Sequence, residues 1–221
     1  EKPHSHTIWE SRKMVEAARE YDRVVQVGTQ NRSAPYVHRA LEYIKSGKLG
    51  KVPFVKVYNM KSGGPFTLGA PGTCPEGFNW DRWVGPAPAR PYHRRIFRHG
   101  WHHFWDFSGG DITNDGIHQL DLALMLMGDP GLPDSVRCVG DRYCHESDDS
   151  EVPDLEVANW DFSDFIMTCE ETTYPRYMLK TTGTIRRTEK LPYWTHNSTR
   201  IEIYGSDLMM TVGRHGGGWI V

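Results

Sequence analysis

The N-terminal part of the chain carries apolar residues first at helical spacing and then in a short continuous run. Residues 4–20 show an apolar stripe near the helical period, and Ser5 or Thr7 could cap that helix. Residues 23–28 are short and apolar, which predicts a strand. Residues 35–46 again follow the helical period and begin with a proline that suits a first helical turn. This part therefore predicts two helices separated by a strand.

Most of the remaining apolar runs have the length and composition of strands. The predicted strands are residues 52–60, 135–143, 155–160, 165–172, 177–184, 200–204 and 208–212. Residues 204–208 contain glycine, serine and aspartate between two such runs, which predicts a hairpin turn. Helices that come first and strands that follow consecutively favour an α+β fold with a large, mainly antiparallel sheet.

A long segment without a sustained period follows the predicted strand at residues 52–60. Residues 61–108 hold many of the prolines, glycines and aromatic residues of the chain. The segment includes four tryptophans and a basic run from His93 to His99. Irregular segments of this length inside a compact domain are uncommon and tend to be functional.

The stretch from Gly109 to Asp121 is the most informative about function. A Gly-Gly turn leads into a predicted helix, residues 113–127. Asn114 and Asp115 precede His118 by four and three positions, so each should lie near His118 on the helix surface. Polar side chains in a first helical turn beside a glycine turn are typical of a proton-transfer site. The alternative is that His118 caps local backbone groups.

The composition argues against two classes of protein, nucleic-acid binders and membrane-spanning proteins. The chain has 26 basic and 28 acidic residues, a net charge of −2, which argues against a nucleic-acid binder that relies on phosphate contacts. No apolar run is long enough for a membrane-spanning helix. The four cysteines lack C-x-x-C spacing; Cys138 and Cys144 could pair, but isolated thiols are favoured.

Several separated motifs occur together in the order of a known family. They are Glu1-Lys2-Pro3 at the start, QVGTQNR at 26–32, WDRWVGPAP at 80–88, the Gly-Gly…Gly-x-His-x-x-Asp pattern within 109–121, and RHGGGW at 214–219. Together they resemble the glucose–fructose oxidoreductase/inositol dehydrogenase family, also called Gfo/Idh/MocA. The resemblance covers essentially the whole chain.

The resemblance implies a domain organisation and a fold. Residues 1–33 would be the end of a Rossmann-type NAD(P)-binding domain, and residues 34–221 a substrate-binding and oligomerisation domain with an open sheet like that of the glyceraldehyde-3-phosphate dehydrogenase C-terminal domain. No G-x-G-x-x-G motif occurs. We therefore expect a piece of a longer protein, cut at both ends, in which NAD or NADP is bound mainly by an upstream domain.

The resemblance also implies roles for individual residues. Lys2 would contact the cofactor and the substrate, and His118 would transfer the hydroxyl proton, a step that suits a histidine near neutral pH. Asn114, the third residue expected in the catalytic set, stands where better-known dehydrogenases of the family have an aspartate. Because an amide cannot ionise, any acid–base role of a carboxylate must come from Asp115 or be absent. The expected cofactor contacts are Glu1, Lys2, Pro3, Gln30 and Arg32, and the expected substrate contacts are Arg98, Trp101, His102 and Asp115.

His102, His103, Asp106 and Asp111 have the ligand types of a zinc or manganese site. Adjacent histidines in an extended segment point to opposite faces, so at most one could join Asp106 at a single ion. Sugar contacts are the favoured interpretation of this stretch, and no metal is expected.

The leading hypothesis is an NAD(P)-dependent oxidoreductase that acts on a sugar, a cyclitol or a derivative and assembles as a homo-oligomer. One alternative is a relative that retains NAD and uses transient oxidation to cleave glycosidic bonds, which Asn114 leaves open. Another is a non-catalytic sugar-binding or assembly module. The compartment, cytoplasm or periplasm, stays open.

Overall fold

The computed structural model describes residues 2–182, 184–185, 197–214 and 218–221, and its centre is one sheet. The strands are β1 (Phe54–Met60), β2 (Ser135–Asp141), β3 (Leu155–Asp161), β4 (Ile166–Thr172), β5 (Thr199–Tyr204), β6 (Met209–Gly213) and β7 (Trp219–Ile220). They lie in the order β2-β3-β4-β1-β5-β6-β7. β1 and β4 are parallel, and the other described neighbours are antiparallel. The mainly antiparallel sheet predicted from the sequence is confirmed.

Helices cover one face of this sheet. The α-helices are α1 (Ile8–Glu20), α2 (Pro35–Lys45), α3 (Trp80–Val84) and α4 (Ile117–Leu126). α2 and α4 contact each other; α4 lies against β1 and β5, and α2 against β7. The φ of +83° at Gly128, just beyond α4, supports the predicted stop there. The α+β class with helices on one face is confirmed.

The main core lies between the sheet and α2 and α4. Val55 and Val57 of β1 are fully buried and face the helices. Their neighbours in this core include Met167, Cys169, Ile201, Ile203, Met210, Val212, Leu122 and Leu126. Because successive strand residues alternate between the two faces, the intervening residues form the opposite, open face.

The open face mixes apolar and charged side chains. Phe54 stacks on Tyr204, with ring centroids 5.4 Å apart. Ile166, the register partner of Phe54, keeps about half of its surface exposed. Lys56 pairs with Glu170 at 3.0 Å. No described helix packs on this face, so the sheet presents a broad surface there.

The segment 61–108 folds around its own small aromatic core. Trp80 and Trp83 stack with centroids 4.7 Å apart, and Tyr92 meets Trp80 edge-on at 5.1 Å. Ile96 and Phe104 are buried in the same cluster. The predicted long irregular segment is thus an ordered, aromatic-rich subdomain with one short α-helix, α3.

The structure corrects two predictions near the N-terminus. The first helix begins at Ile8 and not at residue 4, because Thr7 and Glu10 form a capping box. Residues 23–28 form no strand; Val24 is 99% exposed and has no described neighbouring strand to pair with. α1 buries no residue, and Ile8 is 91% exposed. The helix is present, but among the described residues nothing buries its apolar stripe.

The predicted strand at 177–184 is also wrong over its described residues. Met178 N–H reaches the carbonyl of Pro175 in a turn, at 3.4 Å. Leu179 makes a single bridge with Asn197. Pro175 imposes the turn, and exposed Tyr177 offers no apolar face for a strand to bury. The predicted hairpin at 204–208 is confirmed, since β5 and β6 pair across it.

Candidate active site

The polar residues of the glycine-rich motif lie on a π-helical turn that leads directly into α4. The turn spans Ile112–Gly116, with Asp111 at its N-cap position. A π turn contains about one residue more than an α turn and is frequent at functional sites. The predicted helix is therefore present, but its first turn is wider than predicted.

Two glycines of the motif let this turn lie against buried carboxyl groups. Gly110 has a φ of +84°, a conformation that favours glycine. A Cβ at Gly116 would lie 3.2 Å from Oε2 of Glu171, and one at Gly110 would lie 3.5 Å from Oε2 of Glu156. The motif thus seats the turn directly over glutamates from β3 and β4.

Lys2, near the N-terminus, contacts this turn. Its Nζ donates to the backbone carbonyl of Asn114 and, at 2.5 Å, to Oδ1 of the same residue. Asn114 Nδ2 donates to Oδ1 of Asp111 at 2.8 Å. The Lys2–Pro3 peptide bond is cis. The structure therefore brings together two of the motifs that the resemblance singled out.

Two further cations complete a charged cluster. Lys61, which follows β1, pairs with Asp111 and, at 2.9 Å, with Asp115. Arg214, which follows β6, donates to the other oxygen of Asp115 at 2.8 Å. Although burial opposes ionisation, Arg214 and Lys61 hold the pKa of Asp115 far below its usual range. Asp115 is thus a fixed carboxylate between two cations.

His118 is buried beside this cluster. Its Nδ1 has no hydrogen-bond partner among the described residues. Burial first, then the charges of Arg214 and Lys2, lower the pKa of His118 to about 4. Burial also lowers the pKa of Lys2, although Asp115 opposes that shift. At neutral pH His118 is therefore uncharged and has a ring nitrogen available to accept a proton.

A cavity of about 160 Å³ adjoins the cluster, lined in part by Lys61, Asp111, His102 and His103. The His103 ring stacks on Phe66, with centroids 4.0 Å apart. Burial and the neighbouring His102 lower the pKa of His103 to about 4. Neutral imidazoles beside fixed ionic groups suit hydrogen bonds to hydroxyl groups.

A row of buried polar residues supports the cluster from beneath. Gln119 Nε2 donates to Asn59 Oδ1 at 2.8 Å, and Asn59 Nδ2 donates to Oε2 of Glu171. Glu156 and Glu171 are register partners on β3 and β4. Burial raises the pKa of Glu171 well above its usual value and that of Glu156 to about 7. Burial thus favours the protonated form of Glu171, whereas the hydrogen bond from Asn59 favours the ionised form. The hydrogen bonds to Gln119 and Glu171 fix the position of Asn59.

Arg32 and Gln30 lie apart from this cluster. The Nε of Arg32 donates to Asp121 at 2.8 Å, and its NH2 donates to Asp129 at 2.7 Å. The guanidinium therefore ties the turn Gln30–Ser33 to α4. Gln30 is exposed in an open depression beside Arg32. A cofactor contact by either residue stays a prediction.

The predicted substrate contacts do not all lie at the same place in the structure. His102 lines the cavity and Asp115 belongs to the cluster, whereas Arg98 is exposed and lines a separate depression. Trp101 packs against the small aromatic core. Asp106 pairs with Arg90 and so does not join the histidines. Glu1 lies outside the described residues.

Three other predictions concern cysteines, metals and membranes. All four cysteines are free, so the isolated thiols are confirmed and a Cys138–Cys144 pair is wrong. Within the described ranges no three His, Cys, Asp or Glu side chains form a group that could hold a metal ion. None of the helices in that part of the chain is long and apolar enough to cross a membrane.

Sequence reasoning missed several residues of this site. Lys61 carried one weak signal, its place at the end of a predicted strand. Asn59 and Glu171 looked like ordinary strand residues, and only the pairing of β1 with β4 makes them neighbours. Asp111 entered as a possible metal ligand, but it is an ion-pair partner of Lys61.

Comparison with known proteins identifies the family. The model for the C-terminal alpha/beta domain of the oxidoreductase family, named for Gfo, Idh and MocA, matches residues 57–173, more than half of the chain. The chain therefore belongs to the Gfo/Idh/MocA oxidoreductase family, as its motifs predicted. No curated protein sequence matches it.

Solved structures share the fold at low sequence identity. The WlbA dehydrogenase of Bordetella pertussis, crystallised with NADH and UDP-GlcNAcA, is 19% identical with a TM-score of 0.59, over 96% of this chain and 50% of its own. The aldose-aldose oxidoreductase of Caulobacter crescentus is 18% identical with a TM-score of 0.61, over 97% of this chain and 48% of its own. A super-repressor mutant of Gal80p from Saccharomyces cerevisiae is 13% identical with a TM-score of 0.59, over 98% of this chain and 48% of its own. The chain spans about half the length of these proteins.

Proposed function

We propose that this chain is the substrate-binding part of an NAD(P)-dependent oxidoreductase that oxidises a secondary alcohol of a sugar, a cyclitol or a sugar derivative. The observation that carries the proposal is the contact of Lys2 with Asn114, close enough to His118 for the Lys2 charge to act on it, in a charged cluster that adjoins a cavity through Lys61 and Asp111. Lys2 and Asn114 are 112 positions apart and in direct contact. Two dehydrogenases of this fold were crystallised with NADH and a sugar or sugar derivative, which supports the reaction class.

His118 is the proton acceptor in this proposal. Alcohol oxidation removes a hydride from carbon and a proton from the hydroxyl group, so the base must be neutral beforehand. The low pKa of His118, about 4, keeps it neutral at physiological pH. Lys2 and Arg214 lie close enough to influence its charge, and Lys2 would hold the substrate oxygen in place.

Asn114, Asp111 and Asp115 position the cations. Asn114 accepts from Lys2 through Oδ1 and donates to Asp111 through Nδ2, which fixes both amide atoms. Asp115 holds Lys61 and Arg214 at the same turn. His102, on the wall of the cavity, would donate or accept hydrogen bonds with substrate hydroxyls.

We further propose that residues 1–33 complete a dinucleotide-binding domain and residues 34–221 form the substrate domain. The exposed apolar side chains of α1 and the unpaired, extended Val24 and Val25 support this division, because such surfaces are normally covered. NAD or NADP supplies the hydride acceptor when bound. Of this chain, Lys2 and Pro3 fit the nicotinamide end, whereas Arg32 is already engaged by two carboxylates.

The test is steady-state kinetics of an enzyme in which this chain is joined to a complete dinucleotide-binding domain. With a panel of sugars and cyclitols, NAD(P)H formation should be detectable, and His118→Ala should lower kcat on the order of 10²–10⁴-fold. Lys2→Ala should raise KM and lower kcat, since its charge serves substrate and cofactor. His38→Ala, which changes a histidine outside the cluster, is the matched control.

Near-normal kcat in His118→Ala would remove this histidine from the mechanism and contradict the proposal. Glycoside cleavage without net NAD(P)H formation would instead support the redox-assisted glycosidase. Sugar binding without any turnover would support a non-catalytic module.

A further inference from the structure

A second depression, of about 380 Å³, lies in the aromatic-rich subdomain and is strongly basic. Its lining includes Arg94, Arg95, Arg98 and His93, together with Leu68 and Gly72. All three arginines are exposed. None of the described residues that line it carries a carboxylate. This concentration of positive charge contrasts with the net charge of −2 for the whole chain.

Two of these arginines have no ion-pair partner among the residues that the structure describes. Arg94 and Arg98 form no salt bridge there, whereas Arg12, Arg32, Arg90, Arg142, Arg200 and Arg214 each do. Arg95 uses one nitrogen to hold the carbonyl of Thr67. The nearby carboxylate of Asp149 accepts the amide hydrogen of Leu68 at 2.7 Å. The arginines therefore keep most of their donors for a ligand.

Phe66 connects this depression to the candidate active site. The guanidinium of Arg95 lies 4.9 Å from the centre of the Phe66 ring. His103, which lines the cavity beside Lys61 and Asp111, stacks on the same ring at 4.0 Å. Phe66, which is 5% exposed, therefore contacts one residue of each hollow.

We propose that the depression formed by Arg94, Arg95 and Arg98 binds the phosphate group of a phosphorylated sugar whose ring occupies the cavity beside Lys61. The guanidinium fork matches phosphate oxygens and forms charge-assisted hydrogen bonds with them. A small phosphate ester fits better than nucleic acid, because the basic residues line one concavity and form no extended stripe. This inference rests on the proposed function and narrows its substrate class.

Calorimetric titration of the 221-residue chain tests the proposal without requiring turnover. The probe is glucose 6-phosphate, with glucose and inorganic phosphate as its two halves. We expect glucose 6-phosphate to bind at least tenfold more tightly than either half, and rising salt to weaken its binding. The double variant Arg94→Gln/Arg98→Gln should weaken binding by a factor on the order of 10², about tenfold for each charged contact. Arg137→Gln, an exposed arginine on β2, is the matched control and should bind like the unaltered chain.

Three results would overturn the assignment. They are equal affinity for glucose and glucose 6-phosphate, equal affinity for inorganic phosphate and glucose 6-phosphate, and unchanged affinity in the double variant. His118→Ala should still bind glucose 6-phosphate, so loss of turnover in that variant and loss of binding in the arginine variant separate the two proposals.

Discussion

Lys2 Nζ lies 2.5 Å from Oδ1 of Asn114, at the position where better-known family members carry an aspartate. The same neutral amide donates from Nδ2 to the carboxylate of Asp111. The Asn114 side chain therefore stands between Lys2 and the carboxylate of Asp111. With Lys2, Lys61 and Arg214 against Asp111 and Asp115, the cluster carries one uncompensated positive charge. That excess helps to keep His118 neutral.

Asn114→Asp should cancel this excess positive charge. A carboxylate beside Lys2 stabilises nearby positive charge, so we expect it to raise the pKa of His118, by about one unit or more. The acid limb of the pH profile for alcohol oxidation should then move upward from about 4, the pKa of the unaltered His118. Net NADH formation should rise because the carboxylate of the simple dehydrogenases is restored. The pH dependence of kcat, measured in the enzyme joined to a dinucleotide-binding domain, checks both effects.

Asn114→Ala is the companion variant, because it removes both hydrogen bonds without adding charge. It should lower kcat less than His118→Ala does and leave the acid limb near its original pH. An unmoved acid limb in Asn114→Asp would show that His118 does not sense this position.

Much of the fold followed from local patterns. Six of the seven strands predicted after residue 50 lie within two residues of the observed ones, because each has the local length and composition of a strand. The predicted strand at 23–28 failed for the opposite reason. Val24 and Val25 have the composition of a strand, but a strand needs a partner, and the described chain offers none there.

The site was predictable only in part. Lys2, Asn114 and His118 stood out through motif resemblance, and the structure brings them together. Lys61, Asn59 and Glu171 depend on strand order, since β1 and β4 are far apart in sequence but adjacent in the sheet. No local pattern reports such a pairing.

Glu156→Gln should change how stability depends on pH. Burial, and to a lesser degree Asp111, raise the pKa of Glu156 to about 7 in the folded chain. A carboxyl group whose folded pKa exceeds its unfolded value, about 4.3, contributes stability at low pH that is lost as the pH rises through the folded value. The variant avoids that loss, so relative to the unaltered chain it should gain up to about 3 kcal/mol between pH 4 and pH 8.

Urea unfolding at both pH values measures this gain. Glu146→Gln, in an exposed turn, is the control and should show no such difference between the two pH values. A constant offset for Glu156→Gln across the range would mean that folding does not raise the pKa of Glu156.

Arg32→Gln should loosen the connection between the N-terminal segment and α4. Arg32 contacts Asp121 and Asp129, and about a third of its side chain is exposed, so solvent screens the pair. We expect a loss of about 1 kcal/mol in the free energy of unfolding. Arg12→Gln disrupts an exposed pair with Glu16 on α1 and should have no measurable effect. Equal unfolding midpoints for both variants would show that the Arg32 network does not stabilise the chain.

The open sheet face should mediate self-association. A broad face that mixes Phe54, Tyr204 and half-exposed Ile166 with ion pairs is typical of a surface that another copy covers. We predict a homodimer or a larger homo-oligomer, detectable by light scattering with sedimentation. Ile166→Glu should shift the chain towards monomer, because it places an unpaired charge in that interface. Leu132→Glu adds the same charge at an exposed loop position, 94% exposed, and should leave assembly unchanged. A monomer at high concentration, or equal effects of the two substitutions, would place any contact elsewhere.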